Sequence, residues 1–372
     1  MRVGVPTEIK NHEYRVGMTP PGVRELTRRG HEVLVQSNAG HQIGIDDPDY
    51  IAAGATVVGT ADDVFATADM IVKVKEPQPE EIRLLRENQV LFTYLHLAPD
   101  PDQTKGLLDS GAVGIAYETV TDARGGLPLL APMSEVAGRM SVQAGASGLE
   151  IERGGRGVLL GGVPGVMNGK VVIIGGGVVG TNAAFVATGM GASVTVIDMS
   201  QRRMAEIDFQ FQSLITTLYS TAHSIEEAVV EADLVIGAVL VPGAAAPKLV
   251  TRDMVKGMKR GSVIVDVAID QGGSTETSRP TSHSDPYYIE EGVVHYCVTN
   301  MPGAVARTST FALNNATLPF IVTLADKGPK DALLSDAHLL NGLNVCHGKL
   351  THPAVAEAQQ AEHTDPMSAL AA

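Results

Sequence analysis

Short apolar runs rich in β-branched residues alternate along the chain with stretches of helical periodicity. Arg2–Val5, Glu32–Gln36, Met70–Val74, Val90–Tyr94 and Gly114–Glu118 read as strands. Pro21–Arg29, Pro79–Leu85 and Asp102–Ser110 read as helices between them. Such alternation predicts βαβ units and parallel sheets flanked by helices. The pattern breaks at Pro128-Leu129-Leu130-Ala131-Pro132. A helix over about Ser134–Arg153 follows, with Ser134 as its N-cap and Val136, Ala137, Met140, Ala144 and Leu149 as its apolar stripe. A glycine-rich loop, Gly154–Gly165, leads into a second series: Lys170–Ile174, Ser193–Ile197, Leu234–Gly237, Ser262–Val267 and Val293–Val298. Within it Val171-Val172-Ile173-Ile174 is apolar at every position, as a strand covered on both faces requires. Thr308–Leu324 and Asp331–Leu343 read as closing helices. They need a surface to pack on, and the second series has its own strands. The expected division is therefore 1–128 plus 307–372 as one discontinuous domain and 129–306 as the other.

Composition narrows the function. The 372 residues carry 28 Lys plus Arg against 42 Asp plus Glu, a formal net charge of −14, with no Trp. A net anion poor in aromatic residues is a weak candidate for nucleic acid or anionic membranes. The two cysteines, Cys297 and Cys346, are too few for a disulfide framework and read as buried free thiols. The start, Met1-Arg2-Val3-Gly4-Val5-Pro6, reads as a strand rather than a signal peptide. The apolar stretch around Val158–Ile174 is broken by glycines, Pro164 and Lys170, so no membrane span is expected. A cytoplasmic location is the expectation.

The strongest local motif is Gly175-Gly-Gly177-Val178-Val179-Gly180, directly after a strand and opening a helix. Gly175 allows the tight turn, Gly177 lets a pyrophosphate approach the backbone, and Gly180 permits close helix–strand packing. Asp198 ends the next strand, where an acid binds a ribose 2′-hydroxyl and favours NAD over NADP. Arg202 and Arg203 follow closely and read as a solvated helix start, with a 2′-phosphate contact as the alternative. The expected fold is thus α/β, two Rossmann-like doubly wound parallel-sheet domains, the first discontinuous in sequence. Further strand-end loops are Gly237-Ala-Val239-Leu240, Val267-Ala-Ile269-Asp270-Gln-Gly-Gly273 and Asn300-Met301-Pro302. In the first series Arg15, Lys73, Lys75 and His96 lie in loops or at strand ends. Each alone reads as structural or solvated. Cations and a histidine at the mouth of one sheet would suit a small carboxylate substrate and a proton-transfer group.

Assembled, these residues resemble the NAD-dependent alanine dehydrogenases over nearly the full length. The resemblance rests on Met1–Thr7 with Glu13-Tyr14-Arg15, Val74-Lys75-Glu76-Pro77, Leu95-His96-Leu97-Ala98 and Ala131-Pro132-Met133-Ser134-Glu135. It extends through Gly161-Gly162-Val163-Pro164-Gly165, the run 236–248, Val265–Gly273 and Asn300-Met301-Pro302. It implies reversible oxidative deamination of L-alanine to pyruvate and ammonium. It further implies that Arg15 and Lys75 hold the substrate carboxylate, that His96 is the general acid/base, and that Asp270 acts beside it. Ser134, Gly175, Gly177, Val178, Val179, Gly180, Asp198, Arg203, Ser220, Val239, Leu240, Val267, Ile269, Asn300 and Met301 would line the NAD site. A homo-oligomer, a hexamer, is implied as well. Some relatives hold a divalent metal through a glutamate matching Glu118 and a histidine where this chain has Lys327. A protonated lysine offers no lone pair, so no metal is expected. The alternatives are a soluble transhydrogenase-like NAD(H)-binding protein and a non-catalytic NAD(H)-binding regulator.

Overall fold

The apolar runs do become strands, and their order explains where a ligand can enter. A computed structural model describes residues 1–239 and 246–371. In chain order the first strands are β1 (Arg2–Val5), β2 (Glu32–Gln36), β3 (Thr56–Val58), β4 (Met70–Val72), β5 (Val90–Thr93) and β6 (Val113–Ala116). Next come β7 (Lys170–Ile174), β8 (Ser193–Asp198), β9 (Ile215–Tyr219), β10 (Leu234–Gly237) and β11 (Val263–Asp266). The last are β12 (Tyr287–Glu290), β13 (Val293–Tyr296), β14 (Leu343–Cys346) and β15 (Lys349–Leu350). The chain divides into two compact units, Met1–Met133 with Val305–Ala372, and Ser134–Ala304.

The first unit holds one sheet in the order β15-β14-β6-β5-β4-β1-β2-β3. Strands β1 to β6 run parallel, with Val3 opposite both Val33 and Met70. From the neighbours β1 and β4 the chain proceeds outward in opposite directions. The loops leaving their carboxyl ends diverge and leave a crevice, the usual place for a ligand in such sheets. The second unit repeats the arrangement as β12-β13-β11-β10-β7-β8-β9, with its crevice between β7 and β10. Its core lies on both faces of the sheet: Val171 and Ile173 join one apolar cluster, Val172 and Ile174 the other. Alternate residues of a strand face opposite sides, so a run apolar at every position serves both layers.

The sheets are not wholly parallel. β14 is antiparallel to β6, β15 to β14, and β12 to β13. The closing segment expected as a helix over Asp331–Leu343 breaks into short helices, Pro329–Ser335 and Ala337–Leu340, before β14. The long helix there spans Ala306–Lys327. Its Thr310 and Asn314 accept from the backbone N–H groups of Val16 and Thr19, which ties the C-terminal segment to the first loop.

Two further expectations change. The central helix spans Ala131–Gly148, so Ser134 lies inside its first turns and is not the N-cap. Pro132 can stand at the helix start because a first-turn N–H has no intrahelical partner to lose. Residues 151–153 form a separate short turn ended by Gly154 in the left-handed region. Tyr117 and Glu118 also leave the strand and form a 3-10 turn, Tyr117–Thr119. The segment 129–133 is fastened to the first unit. The Tyr94 hydroxyl donates to the Leu129 carbonyl at 2.6 Å, and Arg15 Nη1 lies 3.0 Å from Met133 Sδ. Cys297 and Cys346 are buried and unpaired, as expected.

Candidate functional site

Three loops meet the crevice of the first sheet. The loop after β1 carries Arg15, and its course depends on Gly17. A Cβ there would lie 2.4 Å from the Val72 carbonyl oxygen, so only glycine lets this loop cross the end of β4. Arg15 is 2% exposed. Glu13 grips it by two parallel bonds, Nε to Oε1 at 2.7 Å and Nη2 to Oε2 at 2.6 Å. Burial alone would lower the Arg15 pKa, but Glu13 holds the guanidinium charged. Planar two-point geometry of this kind suits recognition of a second carboxylate.

The loop after β4 carries Lys75 and Glu76. Lys75 is half-buried, with its carbonyl accepting from Thr93 Oγ1 at 3.0 Å. Its Nζ lies 3.7 Å from Glu76 Oε2. Glu76 also pairs with Lys10. Burial works against its charge, yet His96, Lys75 and Lys10 together hold Glu76 well below the usual carboxylate range. Lys73 belongs elsewhere: fully buried, its Nζ donates to Glu8 at 3.0 Å and Glu81 at 2.6 Å. It is therefore a fold residue and not a cation at the sheet's mouth.

The loop after β5 carries His96. Its φ is 49°, the left-handed region that costs an L-residue with a Cβ about 1–2 kcal/mol. Glu118 stabilises this conformation, accepting from the Leu95 and His96 backbone N–H groups, the latter at 2.6 Å. The imidazole is 43% exposed, with Nδ1 3.5 Å from Glu76 Oε2. The Tyr94 ring lies beside it, centroids 5.7 Å apart. Glu118 is thus engaged in shaping a loop, and Lys327 donates to Ser335 Oγ at 3.0 Å. Among the described residues no three His, Cys, Asp or Glu side chains cluster to hold a metal ion.

The second unit contains the glycine loop after β7. Gly175 has φ 104°, and a Cβ on it would meet the Ala238 carbonyl and the Val239 nitrogen at 2.8 and 3.0 Å. A Cβ on Gly180 would lie 1.8 Å from the Gly175 oxygen. A Cβ on Gly177 would meet nothing within 4 Å, so the backbone there is open to an approaching phosphate. Val178 and Val179 begin the helix Val178–Gly189, whose unpaired N–H groups attract anions. Asp198, at the end of β8, accepts from Gly176 N and Ser200 N, both at 2.7 Å. Arg203 is half-buried and turned onto the glycine loop. Its Nε donates to the Gly176 carbonyl at 2.6 Å and it pairs with Glu206, bracing the loop. Ser220 follows β9 and donates its N–H to the Asp198 carbonyl at 2.9 Å. These residues accordingly fit a dinucleotide.

Val267, Ile269 and Asp270 lie in the 3-10 turn Val267–Gln271 after β11, with Asp270 exposed. Buried Asp266 anchors this turn by accepting from Ser274 N and Oγ, Thr275 N and Ser278 Oγ. Asn300 has φ 58° and its carbonyl lies 3.1 Å from His283 Nε2. Met301 is buried beside it in sequence. Ser134 is half-buried in the second unit, and Leu240 lies outside the described residues. The reading of single residues had missed Glu13, Glu76 and Asp266 as supports. An acid two residues before Arg15 and an acid next to Lys75 were the available signals.

Among the described residues no helix is long and apolar enough to cross a membrane. The family model for the alanine dehydrogenase/PNT N-terminal domain matches residues 4–137, and that for the C-terminal domain matches 141–353. Alanine dehydrogenase from Halomonas elongata is 61% identical over 99% of both chains. The Methanococcus maripaludis and Mycobacterium tuberculosis enzymes of that name are 56% and 55% identical over the full length of each. A solved L-alanine dehydrogenase superposes with TM-score 0.94 at 55% identity, covering 97% of this chain and 99% of its own. A transhydrogenase from Sinorhizobium meliloti reaches 0.81 at 27%, covering 95% and 100%. With the two family models together matching residues 4–137 and 141–353, the chain belongs to the alanine dehydrogenase/PNT family.

Proposed function

We infer that this protein is an NAD-dependent alanine dehydrogenase, interconverting L-alanine, water and NAD⁺ with pyruvate, ammonium, NADH and a proton. Full-length identity with alanine dehydrogenases favours this over a transhydrogenase-like or regulatory role. The structural observation that supports it is the gathering of Arg15, Lys75 and His96 at the carboxyl ends of neighbouring strands β1, β4 and β5.

When bound, the nicotinamide supplies the hydride acceptor. The glycine loop and the helix start at Val178 would hold its pyrophosphate, and Asp198 the adenosine ribose. Val239, Leu240, Val267, Ile269, Ser220, Ser134, Asn300 and Met301 would line the remainder. Arg15 grips the substrate carboxylate and Lys75 adds a second positive charge, which fixes Cα. The alanine amine must lose a proton before hydride leaves Cα. The water that then adds to the imine carbon must lose one too. His96 takes the amine proton and passes it to solvent, to which its ring is exposed, then takes the water proton, which leaves with the departing ammonia as ammonium. Asp270 orients that water and offsets the iminium charge. The working assembly is a homo-oligomer, a hexamer, and no partner beyond these small molecules is needed.

The direct test mixes protein, pyruvate, ammonium and NADH and follows NADH absorbance, with NADPH in parallel. Ammonium-dependent oxidation of NADH, and little of NADPH, is expected. Oxidation without ammonium would indicate a 2-hydroxy-acid dehydrogenase instead. In the same assay Arg15→Lys should raise the pyruvate KM about 10- to 100-fold, the worth of one lost charged two-point contact. An unchanged KM would remove Arg15 from the carboxylate site.

A further inference from the structure

Glu76 lies between two groups that the reading above assigns to the reaction. One carboxylate oxygen, Oε1, accepts from Lys10. The other, Oε2, is buried and makes no hydrogen bond. It nevertheless faces His96 Nδ1 at 3.5 Å and Lys75 Nζ at 3.7 Å. Buried carboxylate oxygens are rarely left without a partner, and one that is calls for an explanation, a catalytic role among them. Hydrogen bonds used in catalysis are often long before substrate binds.

We propose that Glu76 is the positioning residue of His96: when the substrate carboxylate draws Lys75 away, Glu76 Oε2 takes the Nδ1–H of the imidazole. This rests on the roles given above to Lys75 and His96. Its consequence is chemical. A hydrogen on Nδ1 leaves the lone pair on Nε2, which becomes the proton-accepting atom. Once that nitrogen is protonated, the imidazolium stands beside a carboxylate that stabilises it. The other groups near the ring do not compete for Nδ1. Glu118 is occupied by the Leu95 and His96 backbone N–H groups, and the Tyr94 hydroxyl donates to Leu129. Lys10 holds Oε1, which keeps Oε2 turned toward the histidine. Substrate binding thereby both fills the carboxylate site and orients the base.

The test is Glu76→Gln in the full chain, assayed for alanine oxidation across pH. Loss of the negative neighbour should move the acidic limb of kcat/KM to lower pH by about one unit or more. The plateau kcat should fall about 10- to 100-fold, with NADH affinity and pyruvate KM within about threefold. A support that merely held the fold would lower the active fraction or raise KM without moving the limb. An unmoved limb with wild-type kcat overturns the proposal. Should Glu76→Gln fail to fold, Glu76→Asp decides. It keeps the charge but falls short of Nδ1, so a tenfold lower kcat at unchanged KM supports the proposal and a wild-type kcat overturns it. The underlying reading fails separately: His96→Ala that still turns over would sink both, whereas an inactive His96→Ala with a normal Glu76→Gln would sink only this inference.

Discussion

Replacing His96 by alanine removes turnover, with a loss of at least about 10²–10⁴-fold, while NADH affinity stays within a few-fold. The size follows from the chemistry, since two proton transfers per cycle pass through one imidazole. The selectivity follows from the structure. The His96 backbone is held at φ 49° by Glu118, a contact that does not involve the imidazole. The ring itself is 43% exposed, so its removal opens no core cavity. The glycine loop that would bind the dinucleotide belongs to the other compact unit. Steady-state NADH oxidation and a fluorescence titration with NADH read the two quantities apart. Loss of NADH binding in the variant would mark His96 as a residue of the fold instead.

Lys73→Met should destabilise the protein by about 3–5 kcal/mol, the cost of removing one partner from a buried charged network. Lys73 is 0% exposed and donates to two acids that are themselves buried, Glu8 and Glu81. Methionine fills the aliphatic stem and leaves both carboxylates facing each other. The deficit should depend on pH in a defined sense. Burial, opposed by Lys73, raises the Glu8 pKa to about 6 from 4.5. The folded state therefore binds a proton more tightly than the unfolded state. The stability this contributes is complete below pH 4.5 and is lost as pH rises through about 6. Without Lys73 the folded value rises further, so the variant's deficit is largest at neutral pH and shrinks on acidification. Denaturant unfolding at pH 7.5 and pH 5 measures it. Equal deficits at both would assign the effect to packing and not to charge.

Much of this protein was legible in adjacent residues. Lys170–Ile174 and Leu234–Gly237 read as strands to the residue, because the short apolar runs at 171–174 and 234–236, rich in β-branched residues, have few other uses. The glycine loop was equally plain, since the turn, the open approach and the close helix packing each demand glycine at a fixed offset. The elements that escaped were short or mixed. β3 has three residues, β9 carries the adjacent pair Thr216-Thr217 at its centre, and β12 is half-exposed at a sheet edge. β14 hides behind two short helices whose pattern runs into it. At the site the reading of single residues left Arg15, Lys75 and His96 as isolated polar groups. Only the outward progression of strands from β1 and β4 puts their loops around one crevice.

Local sequence therefore determined the strands, the glycine turn and the α/β class, because backbone propensity and side-chain periodicity act between near neighbours. The tertiary structure decided which charge answers which. It buried Lys73 with Glu8, 65 residues away, set Glu118 under the His96 backbone, and placed Arg203 across the glycine loop. These assignments depend on strand order and burial. A carboxylate that is solvated on the surface becomes a positioning group once the same fold places it beside a histidine and away from water.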